Sequence, residues 1–165
     1  MSTELQRVLF YAGPNYMFSN FSSFVVEWRG VLWYTSEHAY QAAKFTDPDL
    51  VSLIQNARSA HDAKRIARFH EDKMRADWDE IKISVMEEII RQKLRQHPFI
   101  QKKLIETGDN QMVEDSPTDS FWGRGPDWNG QNNLGKIWMR LREELKQASQ
   151  AEPKSKMNLG GGGGN

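Results

Sequence analysis

At 165 residues, with 38% hydrophobic and 27% charged positions, the chain is long enough for one domain with a sizeable core and has the balance of a soluble globular protein. Its 22 basic and 22 acidic residues cancel, which argues against a broad electrostatic nucleic-acid surface and leaves room for one nucleotide or a local phosphate site. With no cysteine there is no disulfide, thiol nucleophile, zinc–thiolate or iron–sulfur site; with no apolar run near 18 residues and no signal-peptide core, the expectation by elimination is a cytoplasmic protein without membrane contact.

Residues 7–12 (Arg-Val-Leu-Phe-Tyr-Ala) read as a short strand, followed by a Gly13-Pro14-Asn15 turn and an aromatic loop at 18–22. The β-prone runs 24–28 and 31–34 flank Arg29-Gly30, which predicts a hairpin with Gly30 at positive φ. Helices follow. The first is predicted over 36–45, with Ser36 as N-cap and Glu37 at the positive helix end. Asp47-Pro48 starts a second, to about residue 57, with proline in its tolerated first turn. Ser59 to Asp62 has capping-box spacing for a third, to about residue 70, whose apolar stripe is Ala63, Ile66, Ala67 and His70.

The longest helix is predicted over 77–96, because Ile81, Val85 and Ile89 recur every fourth residue beside Met86, Ile90 and Leu94. Pro98 opens a short helix to about residue 106, closed by Gly108. A short strand is expected at 112–114. Residues 115–133 are rich in Asp, Gly, Pro, Asn and Trp, so a long irregular loop is predicted, and loops of that length in compact domains often carry function. Asn133 is expected to cap a last helix to about residue 148, with Ile137, Trp138, Leu141 and Leu145 inward. One domain over 1–148 and a flexible Gly-rich tail over 149–165 result.

Three segments carry candidate chemistry. At ~100° per residue, Glu37, Gln41 and Lys44 share one face of the first helix, whose other positions are small or aromatic. A carboxylate, an amide and an amine on an element that is otherwise core-like suggest an active site, since buried charge is costly unless paired or used. The competing reading is a charged stripe facing water, the usual place for Glu and Lys. Next, Asp119-Ser120-Phe121-Trp122-Gly123-Arg124-Gly125 sets a carboxylate three residues before a Trp-Gly turn. There an indole offers a stacking face and glycines let backbone N–H groups approach a ligand. Its plain alternative is an Asp capping a turn, with Trp122 as a core plug. Last, Lys64 and Arg68 are i,i+4 neighbours within a basic stretch from 58 to 75, able to hold one phosphate or simply facing water. Arg75-Ala76-Asp77-Trp78 adds a tryptophan at a helix start, where anions also bind.

Among the six tryptophans, Trp28, Trp33 and Trp138 are expected in the core, and Trp78, Trp122 and Trp128 in turns with faces to stack on a planar ring. The four histidines have no metal-ligand spacing, and there is no dinucleotide fingerprint, P-loop or nucleophile elbow.

Taken in order, Ser19-Asn20-Phe21, the 35–45 segment, Ala63-Lys64, Asp77-Trp78, Val85-Met86 with Lys93, Val113-Glu114, the 119–125 segment and Asn132-Asn133-Leu134-Gly135 resemble the YbiA-like family. That family is also called the NADAR (NAD and ADP-ribose) superfamily. The resemblance runs over roughly residues 8–146. It implies a compact, mainly α (α+β) fold with a small N-terminal β hairpin or sheet, and N-glycosidase chemistry. Carried over position by position, it implies Glu37, Lys44 and Asp119 as catalytic groups. It implies Asn20, Phe21, Lys64, Arg68, Trp78, Trp122 and either Asn132 or Asn133 as binding residues. Gln41, on the Glu37 face, and Gly123, in the glycine-rich turn, join them as substrate-binding candidates.

The leading expectation is hydrolysis of the ribosyl C1′–N bond of a phosphoribosylamino-pyrimidine, an early riboflavin-biosynthesis intermediate. The first alternative is an ADP-ribosyl hydrolase acting on a nucleobase such as guanine or on a metabolite. The second is a non-catalytic module that binds ADP-ribose or a nucleotide. No metal or redox cofactor is needed. The expected partner is a small phosphoribosyl or ADP-ribosyl substrate, nucleic acid entering only as an ADP-ribosylated substrate. Lys44 has two open roles, as a cation beside Glu37 or substrate, or as a neutral amine that attacks an opened ribose aldehyde.

Overall fold

The computed structural model describes residues 6–151. The expected tail lies outside them from residue 152 onward, and residues 149–151 complete the last helix. The fold is α+β and mainly helical, as expected. Its first strand, β1 (Arg7–Phe10), leads through a 3-10 turn to a hairpin of β2 (Val26–Trp28) and β3 (Val31–Trp33). Then come α1 (Ser36–Ala42), α2 (Pro48–Gln55), α3 (Ala60–Phe69), α4 (Trp78–Gln96), α5 (Pro98–Glu106), β4 (Gln111–Glu114) and α6 (Asn133–Ala151).

The hairpin forms where the sequence predicts it. Arg29 and Gly30 have φ of 51° and 75°, the two positive values that a tight primed turn requires. Two caps also match: Asp47 accepts from the Asp49 backbone N–H, and Ser59 from that of Asp62. The cap of α1 differs from expectation. Thr35, not Ser36, is extended and accepts from the His38 N–H, and Ser36 is the first helical residue. The α1 helix is also shorter than expected, so that Lys44 lies just beyond its C-cap, Ala43. Trp78 is not in a turn. It is the first residue of α4 and is buried. At the start of α6, Asn133 is the first helical residue, and the residue before it, Asn132, accepts the Lys136 N–H through its carbonyl.

The strand pairing joins the two ends of the domain. β1 and β4 are parallel, with Phe10 opposite Glu114. Asn132, at φ 52°, secures β4 to the head of α6: its amide donates to the Met112 carbonyl at 2.9 Å and accepts from the Glu114 N–H at 3.0 Å. The core spreads from Trp138, whose ring meets Phe18 edge-on at 5.1 Å and whose indole N–H donates to the Phe18 carbonyl. Ile89 and Ile90 of α4 and Ile137 and Leu141 of α6 fill the same core.

Lys93 is the unusual member of this interior. It is 0% exposed, and its ammonium donates to the Ser19 carbonyl and the Ser22 hydroxyl, both at 3.0 Å. Burial pushes its pKa down to about 7. The bonds pin the Ser19–Ser22 turn, whose Asn20 carbonyl in turn accepts the Glu37 backbone N–H. Among the described residues, no helix is long and apolar enough to cross a membrane.

Close approach of α6 to β4 depends on Gly135. A Cβ there would lie 2.2 Å from the Met112 carbonyl oxygen and 2.5 Å from the Asn132 amide. Gly135→Ala is therefore expected to destabilise the fold by ~2 kcal/mol through overpacking against backbone, which thermal unfolding would read as a Tm lowered by about 4–8 °C. An unchanged Tm would mean that α6 slides on β4 at little cost.

Candidate active site

Every residue of α1 is buried. Small side chains make this feasible: Ala39 and Ala42 on α1, and Ala63 and Ala67 on the neighbouring α3. Glu37, Gln41 and Lys44 consequently do not form a solvated stripe. They line one cavity of about 410 Å³.

The sequence candidates on the cavity wall come from four parts of the chain. Asn20 and Phe21 come from the turn that Lys93 holds, and Glu37, Gln41 and Lys44 from α1 and its exit. Lys64 comes from α3, and Asp119 and Trp122 from the 115–132 loop. Eight of the twelve sequence candidates thus meet in one place. Arg68 and Trp78 line an adjoining cleft of about 300 Å³ that shares Tyr40, Gln41, Lys44 and Lys64 with the first.

Gly123 and Asn133 line neither space. Gly123 lets two backbone segments approach, since a Cβ would lie 2.8 Å from the Glu114 carbonyl oxygen. The Asn133 amide donates to the Phe121 carbonyl at 2.9 Å and so supports the loop from behind. Arg75, at the end of the basic stretch, is taken by Asp77 at 2.6 Å. Trp128 is 47% exposed and carries the Arg124 guanidinium over its ring rather than facing the cavity.

The polar groups differ in how they are held. Gln41 donates to Glu37 Oε1 at 2.7 Å. Its NH2 must face the carboxylate, so Gln41 Oε1 is left buried with no partner among the described residues. Asp119 Oδ1 accepts from the backbone N–H of both Phe121 (3.0 Å) and Trp122 (2.8 Å). Burial raises the Glu37 pKa, opposed by the Gln41 hydrogen bond and by the charges of Lys64 and Lys44. Burial likewise lowers that of Lys44, against the attraction of Glu37, and nearby Lys64, Lys82 and Arg68 push the same way. Glu37 and Lys44 form no salt bridge among the described residues. Desolvation therefore outweighs their mutual attraction on both sides.

The aromatic wall is interlocked. Trp122 donates its indole N–H to the Tyr40 hydroxyl at 3.2 Å, and the Tyr40 ring meets Trp78 at 5.2 Å and Trp122 at 5.5 Å. Burial raises the Tyr40 pKa, so its hydroxyl stays protonated. Phe21 stands beside the His61 ring at 4.7 Å. Among the described residues, no three His, Cys, Asp or Glu side chains gather as ligands of one metal ion.

Glu114 is one of several lining residues that the sequence does not mark as site candidates. Glu114 ends β4, inside the Val113-Glu114 pair that contributes to the family resemblance, but with no periodicity to mark it. Its carboxyl is pushed up to about 8, first by burial and then by Asp119 and Glu37, with Lys64 opposing. Its Oε2 is buried without a hydrogen-bond partner among the described residues.

The fold matches the NMR structure of the Escherichia coli protein YbiA with a TM-score of 0.85 and 31% identity, over 93% of this chain and 92% of that one. The NADAR domain model matches residues 9–146. The chain belongs to the NADAR domain family. A relative from Nostoc punctiforme (strain ATCC 29133 / PCC 73102), N-glycosidase Npun_R5314, is 40% identical over 81% of this chain and 87% of its own. The N-glycosidase YbiA of Escherichia coli (strain K12) is 36% identical over 78% of this chain and 80% of its own. The Riboflavin biosynthesis protein VVA0006 of Vibrio vulnificus (strain YJ016) is 40% identical over 78% of this chain, which spans 35% of that longer protein.

The raised pKa of Glu114 links stability to pH. Between the ordinary value of 4.5 and about 8, the folded protein holds a proton that the unfolded chain releases. The stability from this carboxyl is complete below pH 4.5 and is lost as pH rises through about 8. Glu114→Gln cannot ionise. Its denaturant-derived stability is expected to exceed that of the wild type by a margin growing from pH 5 to pH 9, beyond ~1 kcal/mol at the alkaline end. Parallel pH profiles for the two proteins would show that Glu114 ionises in the fold as it does in water.

Proposed function

We propose that this chain hydrolyses the ribosyl C1′–N bond of a phosphoribosylamino-pyrimidine, the type of intermediate handled early in riboflavin biosynthesis. It is an enzyme of the N-glycosidase class, and the pyrimidine substrate is our reading. One observation carries that reading: a cavity containing Glu37 and Asp119 opens beside a cleft in which Lys44, Lys64 and Arg68 have no ion-pair partner among the described residues. The acids of the cavity suit a sugar cation, and the cleft, where Lys44, Lys64, Arg68 and Lys82 outnumber Glu71 and Asp79, suits a 5′-phosphate. The names of the Nostoc and Vibrio relatives support it.

Cleaving the bond builds positive charge on the ribose and negative charge on the departing nitrogen. Asp119, with one oxygen fixed by two backbone N–H groups, keeps the other for the developing cation at C1′ and the ring oxygen. Glu37, oriented by Gln41 and made more basic by burial, takes the proton of the attacking water. Lys64 and Arg68 hold the phosphate and so place C1′. Trp122 and Tyr40 cover the base or ribose and exclude water. Lys44, its pKa lowered by burial, serves either as a local cation or as the amine of an imine with an opened ribose. We place the reaction in the cytoplasm, with a small molecule as partner and no membrane.

A second reading has its own support. The two adjoining spaces share four wall residues, which gives room for a second phosphate and a nucleoside. The substrate would then be ADP-ribose on a nucleobase, with nucleic acid entering only in that modified form.

The deciding assay offers the phosphoribosylamino-pyrimidine, ADP-ribosyl-guanine and NAD in parallel, with products identified by mass spectrometry. Ribose 5-phosphate and free pyrimidine from the first alone are expected. Release of ADP-ribose alone would move the assignment to the second reading. Glu37→Gln and Asp119→Asn are each expected to lose at least ~100-fold in kcat while remaining folded, and wild-type turnover by both would overturn the mechanism. Borohydride added during turnover marks Lys44 if an imine forms, and an unmodified Lys44 leaves the electrostatic role.

A further inference from the structure

We infer that Glu114 is a third catalytic residue of this site, the general acid that protonates the departing nitrogen. The inference rests on the N-glycosidase reading above and supplies the one group which that mechanism leaves without a source, the leaving-group proton.

The geometry begins with the backbone. Glu114 is the last residue of β4, and three ties fix it. It pairs with Phe10 of β1, its N–H donates to Asn132 Oδ1 at 3.0 Å, and its carbonyl accepts the Arg124 N–H at 3.0 Å. Gly123 lies against the same carbonyl, at a distance that excludes a side chain. This much rigidity presents a side chain to which the protein gives nothing: Glu114 lines the cavity and its Oε2 has no partner among the described residues. A buried carboxyl oxygen left bare costs stability unless a ligand completes it. Gln41 Oε1 is the second bare acceptor on the same wall. The Gln41 acceptor and a protonated Glu114 carboxyl, one acceptor and one donor, suit the edge of an aminopyrimidine, which carries both N–H groups and nitrogen lone pairs, and so favour the base beside Glu114.

The charges around it favour the protonated form. Glu37 of α1 and Asp119 of the loop repel a negative charge there, and Lys64 of α3 only partly offsets them. Lys44 and His61 complete the charged or titratable wall, with Tyr11, Tyr16 and Tyr40 as its phenols. Burial contributes most, and the carboxyl keeps its proton to about pH 8. Asp119 differs in kind, since two backbone N–H groups engage its carboxylate. Carboxyl groups whose surroundings push them apart divide acid from base work.

The step balances without a co-reactant. As the C1′–N bond breaks, its electron pair stays on nitrogen and the Glu114 proton joins it, releasing the neutral amine. Water oxygen bonds to C1′ and its proton passes to Glu37. Exchange with solvent then returns a proton to Glu114 and removes one from Glu37.

The test compares two substrates of the folded, full-length enzyme. One is the phosphoribosylamino-pyrimidine, whose nitrogen must be protonated. The other is 4-nitrophenyl ribofuranoside 5-phosphate, whose phenolate leaves unaided. Glu114→Gln is expected to lose at least ~100-fold in kcat on the first and to stay within roughly threefold of wild type on the second. Equal loss on both, or none on either, overturns the inference. Wild type alone supplies a measurement that needs no variant to fold. Its kcat on the pyrimidine substrate is expected to fall above about pH 8, and its kcat on the nitrophenyl substrate to show no such fall. Matching pH profiles overturn the assignment. A wild type that cleaves neither compound overturns the N-glycosidase reading itself, and this is visible before Glu114 is touched.

Discussion

The complete burial of α1 is the constraint on which the site depends. Seven residues, among them a glutamate, a glutamine and a histidine, are enclosed by α2, α3, α4 and the hairpin. A helix so placed must have each polar group answered from elsewhere. His38 is answered by the Thr35 hydroxyl at 2.8 Å and the Ala57 carbonyl at 3.0 Å. The helix start is answered by the Asn20 carbonyl, which accepts from the Glu37 N–H and the Ser36 hydroxyl. The Asn20 turn is answered in its turn by the ammonium of Lys93. Breaking a buried arrangement of this kind by removing one member leaves the others desolvated and unpaired. Only the Glu37–Gln41 side of the helix is left to face a cavity, which is why charge concentrates there.

That chain of dependence explains what was legible in the sequence. Periodicity alone puts Glu37 and Gln41 four residues apart on one helical face, and this holds although the cap is Thr35 and not Ser36. Both residues are good caps, and the choice turns on which one has extended backbone and a hydroxyl aimed at the His38 N–H, a matter of tertiary entry angle. Trp78 reads two ways in the sequence, as a turn residue and as a helix start, and the structure takes the second. Its neighbours Arg75 and Asp77 look like turn residues, yet they bind each other and leave the indole to start α4 beneath Tyr40. Glu114 had no local mark. Its position follows from the pairing of β1 with β4, some hundred residues apart along the chain. Gly123 and Asn133 lie behind the wall and not on it, where they shape the backbone that carries Asp119 and Glu114.

A net charge of zero conceals a strongly divided site. Glu37, Asp119 and Glu114 gather on the cavity, and Lys44, Lys64, Arg68 and Lys82 outnumber Glu71 and Asp79 along the cleft. Composition averages these away, whereas the field at a ligand depends on the few charges within a Debye length and on how little water separates them. Lys44 and Lys64 belong to both spaces and are the hinge of this division. They moderate the acids enough for the wall to hold three carboxyl groups, and they present positive charge where a phosphate would enter.

Three carboxyl groups in one small cavity do not all ionise together at neutral pH. The backbone resolves the conflict. Asp119 is given two N–H donors, Glu37 one side-chain amide, and Glu114 none on its buried oxygen, a descending series of support for negative charge. Burial pushes the Glu114 carboxyl up to about 8, and its backbone is tied to Phe10, Asn132 and Arg124. A bond between ribose and nitrogen needs opposite help at its two ends: a negative charge against the sugar and a proton for the base. On the reading proposed above, the unequal treatment of chemically similar side chains supplies both, and the cost of keeping Glu114 bare is relieved when a base fills the space beside it.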